Sequence, residues 1–191
     1  MNSHQFKQVY EWLGINLNTL GCVMLDLEPL DNMRATDAYK AALPLYFAKN
    51  KERFWIDGWV CDKVPHITLL YGLLAKAKSL ELHIGAVLCD WHINEVEIED
   101  IGFFESPYSD ESYWCIVAHI KVTPELLEGH RRLEFLPHIN TFDGYKPHMT
   151  IAYIQKEWGE EKRHQWIEYL KELWLGRKLK VKQTLNLGDR A

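Results

Sequence analysis

The chain has 191 residues, of which 47% are hydrophobic and 26% are charged, and its formal net charge is −5. This composition predicts one packed domain over residues 1–191 and lacks the basic excess with which proteins grip long nucleic acid. We therefore expect any nucleotide substrate to be small or single-stranded, and we expect no binding to long duplex nucleic acid.

The N-terminal stretch and the cysteines indicate a cytoplasmic protein. Residues 1–11 are polar and lack the basic and apolar runs of a signal peptide, and no segment approaches the roughly 20 apolar residues of a membrane helix. The cysteines are widely spaced among apolar residues, which predicts buried thiols in a reducing compartment rather than a zinc site. They are Cys22, Cys61, Cys89 and Cys115. We expect a monomer that does not bind membranes.

The first half of the chain alternates between helical and strand-like patterns. Ser79 stands where it could cap the last helix of this half. The predicted elements are, in order, a helix over 4–13, a strand over 20–27, a helical stretch over 34–49, an aromatic stretch over 53–60, a strand over 66–71 and a helix over 79–91.

The second half continues the alternation. Thr123 followed by Pro124 is a clear helix start, with threonine as the cap and proline at the first helical position. The predicted elements are a strand over 93–104, a turn over 106–112, a strand over 113–122, a helix from Pro124, a turn over 143–146, a strand over 148–154, a helix over 157–174 and a strand over 178–187. Because the strands form hairpin-like pairs with few βαβ units, this order predicts an α+β fold with antiparallel sheet.

Two stretches of the chain share one frame. Residues 64–71 read VPHITLLY and residues 146–153 read KPHMTIAY. Both contain Pro-His-(apolar)-Thr-(Leu/Ile)-(apolar)-Tyr, and their histidines, His66 and His148, are 82 positions apart. The repeat indicates an internal duplication of half a domain, with motif 1 at 64–71 and motif 2 at 146–153.

Strand geometry predicts which way the motif side chains point. In a strand, side chains two positions apart project from the same face, so His66 and Thr68 should point together, as should His148 and Thr150. The alternate positions, which include Tyr71 and Tyr153, should face the core. If a pseudo-twofold axis relates the halves, two His/Thr pairs face each other across one groove.

Such a groove suits phosphodiester chemistry. One neutral imidazole can take a proton from the attacking oxygen while the opposite imidazolium gives a proton to the leaving oxygen, since histidine titrates near neutral pH. The hydroxyls of Thr68 and Thr150 can donate hydrogen bonds to phosphate oxygens. The scheme needs no metal and no cofactor, and near symmetry leaves open whether His66 or His148 is the base.

The two motifs resemble those of the 2H phosphoesterase superfamily, which includes the RNA 2′,5′-ligase-like proteins and the cyclic phosphodiesterases and is defined by two His-x-Thr/Ser-x motifs. The resemblance spans most of the chain. It implies a bilobal, pseudo-twofold duplicated α+β fold with interleaved lobes, in which antiparallel sheets line a central groove and helices lie outside. It also implies hydrolysis of 2′,3′-cyclic phosphates, 2′–5′ bonds, or cyclic and linear oligonucleotides, including RNA ends.

Other residues near the motifs are open to two interpretations. Lys146 would share the groove face with His148 if that strand begins early, where it could bind phosphate; otherwise it is a solvated turn lysine. Tyr71 and Tyr153 are expected in the core by strand parity, with stacking on a nucleobase as the alternative. The remaining seven histidines share no such frame, so we expect them to be surface or structural residues.

An acidic run has residue types that bind metals, but its alternation is typical of a solvated strand face. It comprises Glu95, Glu97, Glu99 and Asp100. We expect no metal site there.

Two further functions compete with hydrolysis. The chain could be a nucleotide-binding module that sequesters a signal or an RNA end without turnover. It could also ligate RNA ends, although its acidic charge offers little grip on an RNA the size of tRNA.

Overall fold

The computed structural model describes residues 20–28, 66–105, 113–140, 144–156 and 159–189. Four predictions lie outside these residues: the helices over 4–13 and 34–49, the aromatic stretch over 53–60 and the turn over 106–112.

All six predicted strands are confirmed. They are β1 (Gly21–Leu27), β2 (His66–Leu73), β3 (Glu95–Glu105), β4 (Tyr113–Ile120), β5 (His148–Gln155) and β6 (Lys178–Asp189). Together they form a six-stranded sheet in the order β2-β1-β6-β3-β4-β5, and every neighbouring pair is antiparallel. The two strands that carry the motifs, β2 and β5, are therefore the two edges of this sheet.

The sheet consists of two three-stranded halves joined through β6. The C-terminal part of β6 pairs with β1, while its first residues, Lys178 to Lys180, pair with β3. One half is thus β2-β1-β6 and the other is β5-β4-β3. The edge strands β2 and β5 also contact each other, so the sheet curls until its two edges meet.

In the described ranges, three α-helices and a short 3-10 helix accompany this sheet. The 3-10 helix (Ala77–Leu80) leads into α1 (Glu81–Val87), and α2 (Pro124–Leu133) and α3 (Gly159–Trp174) contact β2 and β3. The prediction that Ser79 caps the first helix is wrong, because Ser79 lies inside the 3-10 helix and Leu80 occupies the cap position without a side-chain bond. The predicted start of α2 is confirmed: the Leu126 amide donates to the Thr123 hydroxyl over 3.2 Å.

The core lies between the helices and the back face of the sheet. In β1, alternate residues are buried, and the residues between them are half-buried on the opposite face. The buried set is Gly21, Val23, Leu25 and Leu27, and the half-buried set is Cys22, Met24 and Asp26. This one-sided burial confirms the predicted α+β class, with helices outside an antiparallel sheet.

The cysteines differ from their prediction. Cys22, Cys89 and Cys115 are thiols without disulfides, as expected, but Cys89 is exposed and the other two are half-buried. Cys61 lies outside the described residues. Within the described ranges no helix is long and apolar enough to cross a membrane.

Replacing Thr123 tests the cap of α2. Thr123→Ala removes the hydroxyl that accepts from the Leu126 amide, so we expect the free energy of unfolding to fall by about 1 kcal/mol. Thr123→Ser keeps the acceptor and is the control, and urea denaturation measures both variants. Equal stability of the two would contradict a capping role.

Candidate active site

Each motif strand pairs with the strand beside it in the sheet, β2 with β1 and β5 with β4. The two pairings have equivalent registers. On β2 the pairs run from His66 opposite Asp26 to Thr68 opposite Met24, and on β5 from His148 opposite His119 to Thr150 opposite Val117. The residues between are Ile67 and Met149, and both are buried. The repeated sequence frame is therefore also a repeated strand pairing.

Each motif strand carries a bulge one residue after its threonine. Val23 pairs with Leu70 and Met24 with Thr68, so Leu69 has no opposite residue of its own. On β5 the register skips Ile151 in the same way. A bulge adds one residue to a strand and reverses the facing of all residues beyond it.

The bulge moves Tyr71 to the half-buried face of the sheet that carries His66 and Thr68, which we call the groove face. Tyr71 pairs with Cys22, which belongs to the half-buried set of β1, and Tyr71 is itself half-buried whereas Leu69 and Leu70 are both buried. The prediction that Tyr71 faces the core is therefore wrong. Tyr153 stands opposite Cys115 in the equivalent register, but its side chain lies outside the described part, so its facing stays a prediction.

His148 is half-buried and is oriented by its own chain. Its Nδ1 lies 2.9 Å from the carbonyl oxygen of Lys146, and since a carbonyl can only accept, Nδ1 carries the hydrogen. In the neutral ring Nε2 then holds the lone pair.

Burial is the main cause that lowers the pKa of His148 from its ordinary value of 6.5. The hydrogen bond to the Lys146 carbonyl opposes this shift, and the charges of His119 and His66 add to it. The strands that carry His66 and His148 contact each other, which is consistent with this smaller effect of His66 on the pKa of His148.

The threonines and Lys146 occupy different positions relative to the groove. Thr68 and Thr150 are half-buried, and the Cys115 thiol lies 3.8 Å from the Thr150 hydroxyl, a weak hydrogen bond. Strand β5 begins at His148, so Lys146 precedes it and its side chain is exposed. In the structure, Lys146 acts on the site through its carbonyl, and phosphate binding by its ammonium stays a prediction.

His119 is a groove residue that the sequence did not single out. It stands opposite His148 on β4, is half-buried, and its ring meets the edge of the Phe104 ring at 5.5 Å between centroids. Phe104 also meets His148, at 4.8 Å. Strand parity could have placed His119 on one face of β4, but its pairing with His148 becomes visible only once the β4–β5 register is known.

The outer edge of β2 is held by two rings. His130 on α2 donates from Nδ1 to the carbonyl oxygen of Leu69 over 2.6 Å, and the hydroxyl of Tyr145 donates to the carbonyl oxygen of Thr68 over 3.3 Å. The two rings stack at 4.0 Å with an interplanar angle of 8°. Burial raises the pKa of Tyr145, so its hydroxyl keeps its proton and remains a donor.

The acidic run is largely engaged with lysines, as expected for a solvated face. Its ion pairs are Glu95 with Lys178, Glu97 with Lys121 and Asp100 with Lys171. In the part of the chain that the structure describes, no three side chains of the His, Cys, Asp and Glu types cluster as metal ligands would.

The chain is similar to known proteins in both sequence family and fold. A family model described as the 2′-5′ RNA ligase superfamily matches residues 42–185, well over half of the chain. The structure of Usb1 from Kluyveromyces marxianus is similar with a TM-score of 0.51 and 14% identity, covering 88% of this chain and 96% of that one. The structure of Kluyveromyces marxianus Usb1 with uridine monophosphate gives 0.50 and 13%, covering 89% and 98%. At these identities the likeness is one of fold, and no curated protein matches the sequence.

Gly72 offers a test of how the motif strand is held at its outer edge. Its φ is +102°, and an added Cβ would lie 2.3 Å from the backbone oxygen of Ile139, whose amide donates to the Gly72 carbonyl. We expect Gly72→Ala to lower the free energy of unfolding by about 2 kcal/mol or more, since both the backbone strain and the clash oppose it.

The matched control is Gly85→Ala in α1, where an added Cβ meets nothing within 4 Å. We expect this helical substitution to stabilise the protein by about 0.5–1 kcal/mol. Urea denaturation compares the two variants, and a Gly72→Ala protein as stable as wild type would contradict the close packing at this edge.

Proposed function

Because the chain belongs to the 2′-5′ RNA ligase superfamily, as its motifs predicted, we propose that it is a metal-independent phosphodiesterase acting through His66 and His148. Its substrate is a small nucleotide or oligonucleotide that carries a 2′,3′-cyclic phosphate, a 2′–5′ linkage or a cyclic backbone. The observation that carries this proposal is the repeated register, which gives both edges of the curled sheet an identical His-x-Thr face.

The environment of His148 favours this residue as the general base. Its lowered pKa keeps the imidazole neutral near pH 7, and its Nδ1 donates to the Lys146 carbonyl, so Nε2 holds the lone pair. In hydrolysis, Nε2 takes a proton from water as the water oxygen attacks phosphorus. His66 then serves as the acid and gives a proton to the oxygen that leaves phosphorus.

The threonines hold the phosphate between the two imidazoles. Each hydroxyl is two positions from its histidine on the same strand face, so Thr68 and Thr150 can donate to the non-bridging phosphate oxygens from opposite sides. Lys146, exposed just before β5, is placed to attract a phosphate from the rim. Two donors fixed by strands cost little reorganisation as charge develops on those oxygens.

Tyr71 supports a nucleotide as the substrate. Its place on the groove face, beyond Thr68 on the same strand, puts an aromatic ring where a nucleobase could stack. The similar fold of Usb1 has been solved with uridine monophosphate, which is a small nucleotide. The net charge of −5 also favours a short substrate over a long one.

A substrate panel separates hydrolysis from the two competing functions. The protein is incubated, in excess chelator, with 2′,3′-cyclic nucleotides, 2′–5′ oligoadenylate, cyclic dinucleotides and short single-stranded RNA, and the products are separated. We expect turnover of at least one compound. Binding without any product favours the sequestering module, joined RNA ends favour ligation, and activity that requires added metal contradicts the proposed chemistry.

Substitution of the motif histidines tests the catalytic pair. We expect His66→Ala and His148→Ala each to lower kcat by about 10²- to 10⁴-fold, the usual contribution of a general acid or base. Circular dichroism checks that the fold is retained, and His164→Ala, an exposed histidine on α3, is the matched control. Full activity in either motif variant rules out the two-histidine mechanism.

The pH dependence follows from the direction of the His148 pKa shift. A base must be deprotonated, so we expect kcat/KM for the active substrate to rise with a midpoint below 6.5 and to fall again at higher pH as the acid loses its proton. Initial rates between pH 4.5 and 9 measure this bell-shaped profile of kcat/KM. A rising limb centred above 6.5 would show that burial does not control the base.

A further inference from the structure

His119 stands where the two halves of the duplicated site differ. Opposite His66, the inner strand β1 carries Asp26, and opposite His148, the inner strand β4 carries His119. The pairing around both positions is otherwise equivalent, including the bulge after each threonine. One motif histidine therefore has a carboxylate as its cross-strand neighbour, and the other has a second imidazole.

The ring of His119 is held in place by Gly102 and Phe104 of β3. An added Cβ on Gly102 of β3 would lie 2.7 Å from Nε2 of His119, so the imidazole occupies the space that this glycine leaves empty. The Phe104 ring meets both His119 and His148 edge-on. Glycine on one side and an aromatic edge on the other keep the two imidazoles beside each other.

Cross-strand partners lie close enough for their charges to act on each other. Directly opposite residues on antiparallel strands have Cβ atoms about 4.5–5.5 Å apart, and like charges there repel. The titratable groups that act on His148 from the neighbouring strands are His119 on β4 and His66 on β2, and both lower its pKa. Opposite His66, the Asp26 carboxylate accepts a hydrogen bond from the Asn186 amide over 2.8 Å.

We propose that His119 is a positioning residue of this site, a third histidine that opposes protonation of His148 and so keeps that imidazole available as the base. The proposal rests on the two-histidine function described above, and it adds a residue outside both motifs. In this scheme the sequence duplication supplies two equal histidines, and the difference between His119 and Asp26 makes them unequal.

The deciding measurement is the titration of His148 itself, followed through its imidazole carbon-bound protons by NMR in the whole protein without substrate. His119→Asn removes the imidazole and His119→Asp replaces it with a carboxylate. We expect the apparent midpoint of His148 to rise in the order wild type, His119→Asn, His119→Asp. A ring that merely fills space would not order the variants by charge.

Asp26→Asn is the matched control, since it changes the charge at the equivalent position in the other half. We expect it to leave the His148 midpoint at the wild-type value, because Asp26 faces His66 across β1 and β2. If His119→Asp does not fold, His119→Asn and His119→Gln still decide the question. An unchanged His148 midpoint in these variants, or an equal rise in Asp26→Asn, overturns the proposal.

An activity arm separates this proposal from the proposed function. With 2′,3′-cyclic UMP as the probe, we expect the rising limb of the kcat/KM profile to move to higher pH in His119→Asn. If the NMR midpoint of His148 shifts but the rising limb of the kcat/KM profile does not, His148 is not the base, although His119 still affects its protonation. If the His148 midpoint shifts in a protein that turns over no phosphodiester, the proposed phosphodiesterase function is refuted and the effect of His119 stands.

Discussion

One-sided burial of the two motif strands holds the whole site in place. On each strand the histidine and threonine alternate with apolar residues that are fully buried against the helices, and these are Ile67, Leu69, Met149 and Ile151. Each such side chain contributes about 1.5–3 kcal/mol when buried. Slipping either strand by one residue would turn its two apolar side chains to the groove face, at a cost of about 3–6 kcal/mol, which is a large part of the 5–15 kcal/mol stability of a typical domain. The groove positions of His66 and His148 are thus fixed by the core behind them.

The duplication gives the site symmetry, and the inner strands remove it. The paired registers, the bulges and the threonines are equivalent in the two halves. The groove floor is not, because one half carries Asp26 with Asn186 and the other carries His119 with Phe104. Acid/base catalysis needs one proton donor and one acceptor at the same moment, so a symmetric pair must be made unequal by its neighbours. Those neighbours lie outside the repeated motif.

The sequence predicts what local patterns determine and misses what pairing determines. The frame around His66 and His148 was sufficient to predict that each histidine shares a strand face with its threonine, because alternation along a strand gives this facing directly. Tyr71 was placed wrongly because the bulge at Leu69 depends on the partner strand and leaves no mark in the motif itself. His119 was missed for a related reason: a one-residue change of the β4–β5 register would bring Ala118 or Ile120 opposite His148 instead.

The predicted cap of α1 is wrong for a similar reason. Ser79 has the right residue type for a cap, yet its hydroxyl donates to the Lys76 carbonyl within a 3-10 turn, so the α-helix begins later. At α2, in contrast, Thr123 and Pro124 act through the next three residues alone, and the prediction from sequence was sufficient.

The two motifs are also coupled through the edge of β2. Tyr145 directly precedes motif 2, and its hydroxyl donates to the carbonyl oxygen of Thr68 in motif 1. The ring of His130 stacks on the Tyr145 ring, and its Nδ1 donates to the carbonyl oxygen of Leu69. An edge strand has unpaired carbonyls that water or another chain could take. Here the Thr68 carbonyl binds Tyr145, in the segment that leads into His148, and the Leu69 carbonyl binds His130 on α2. The bonds that protect this edge therefore also tie motif 1 to the start of motif 2, beside the place where β2 and β5 contact each other.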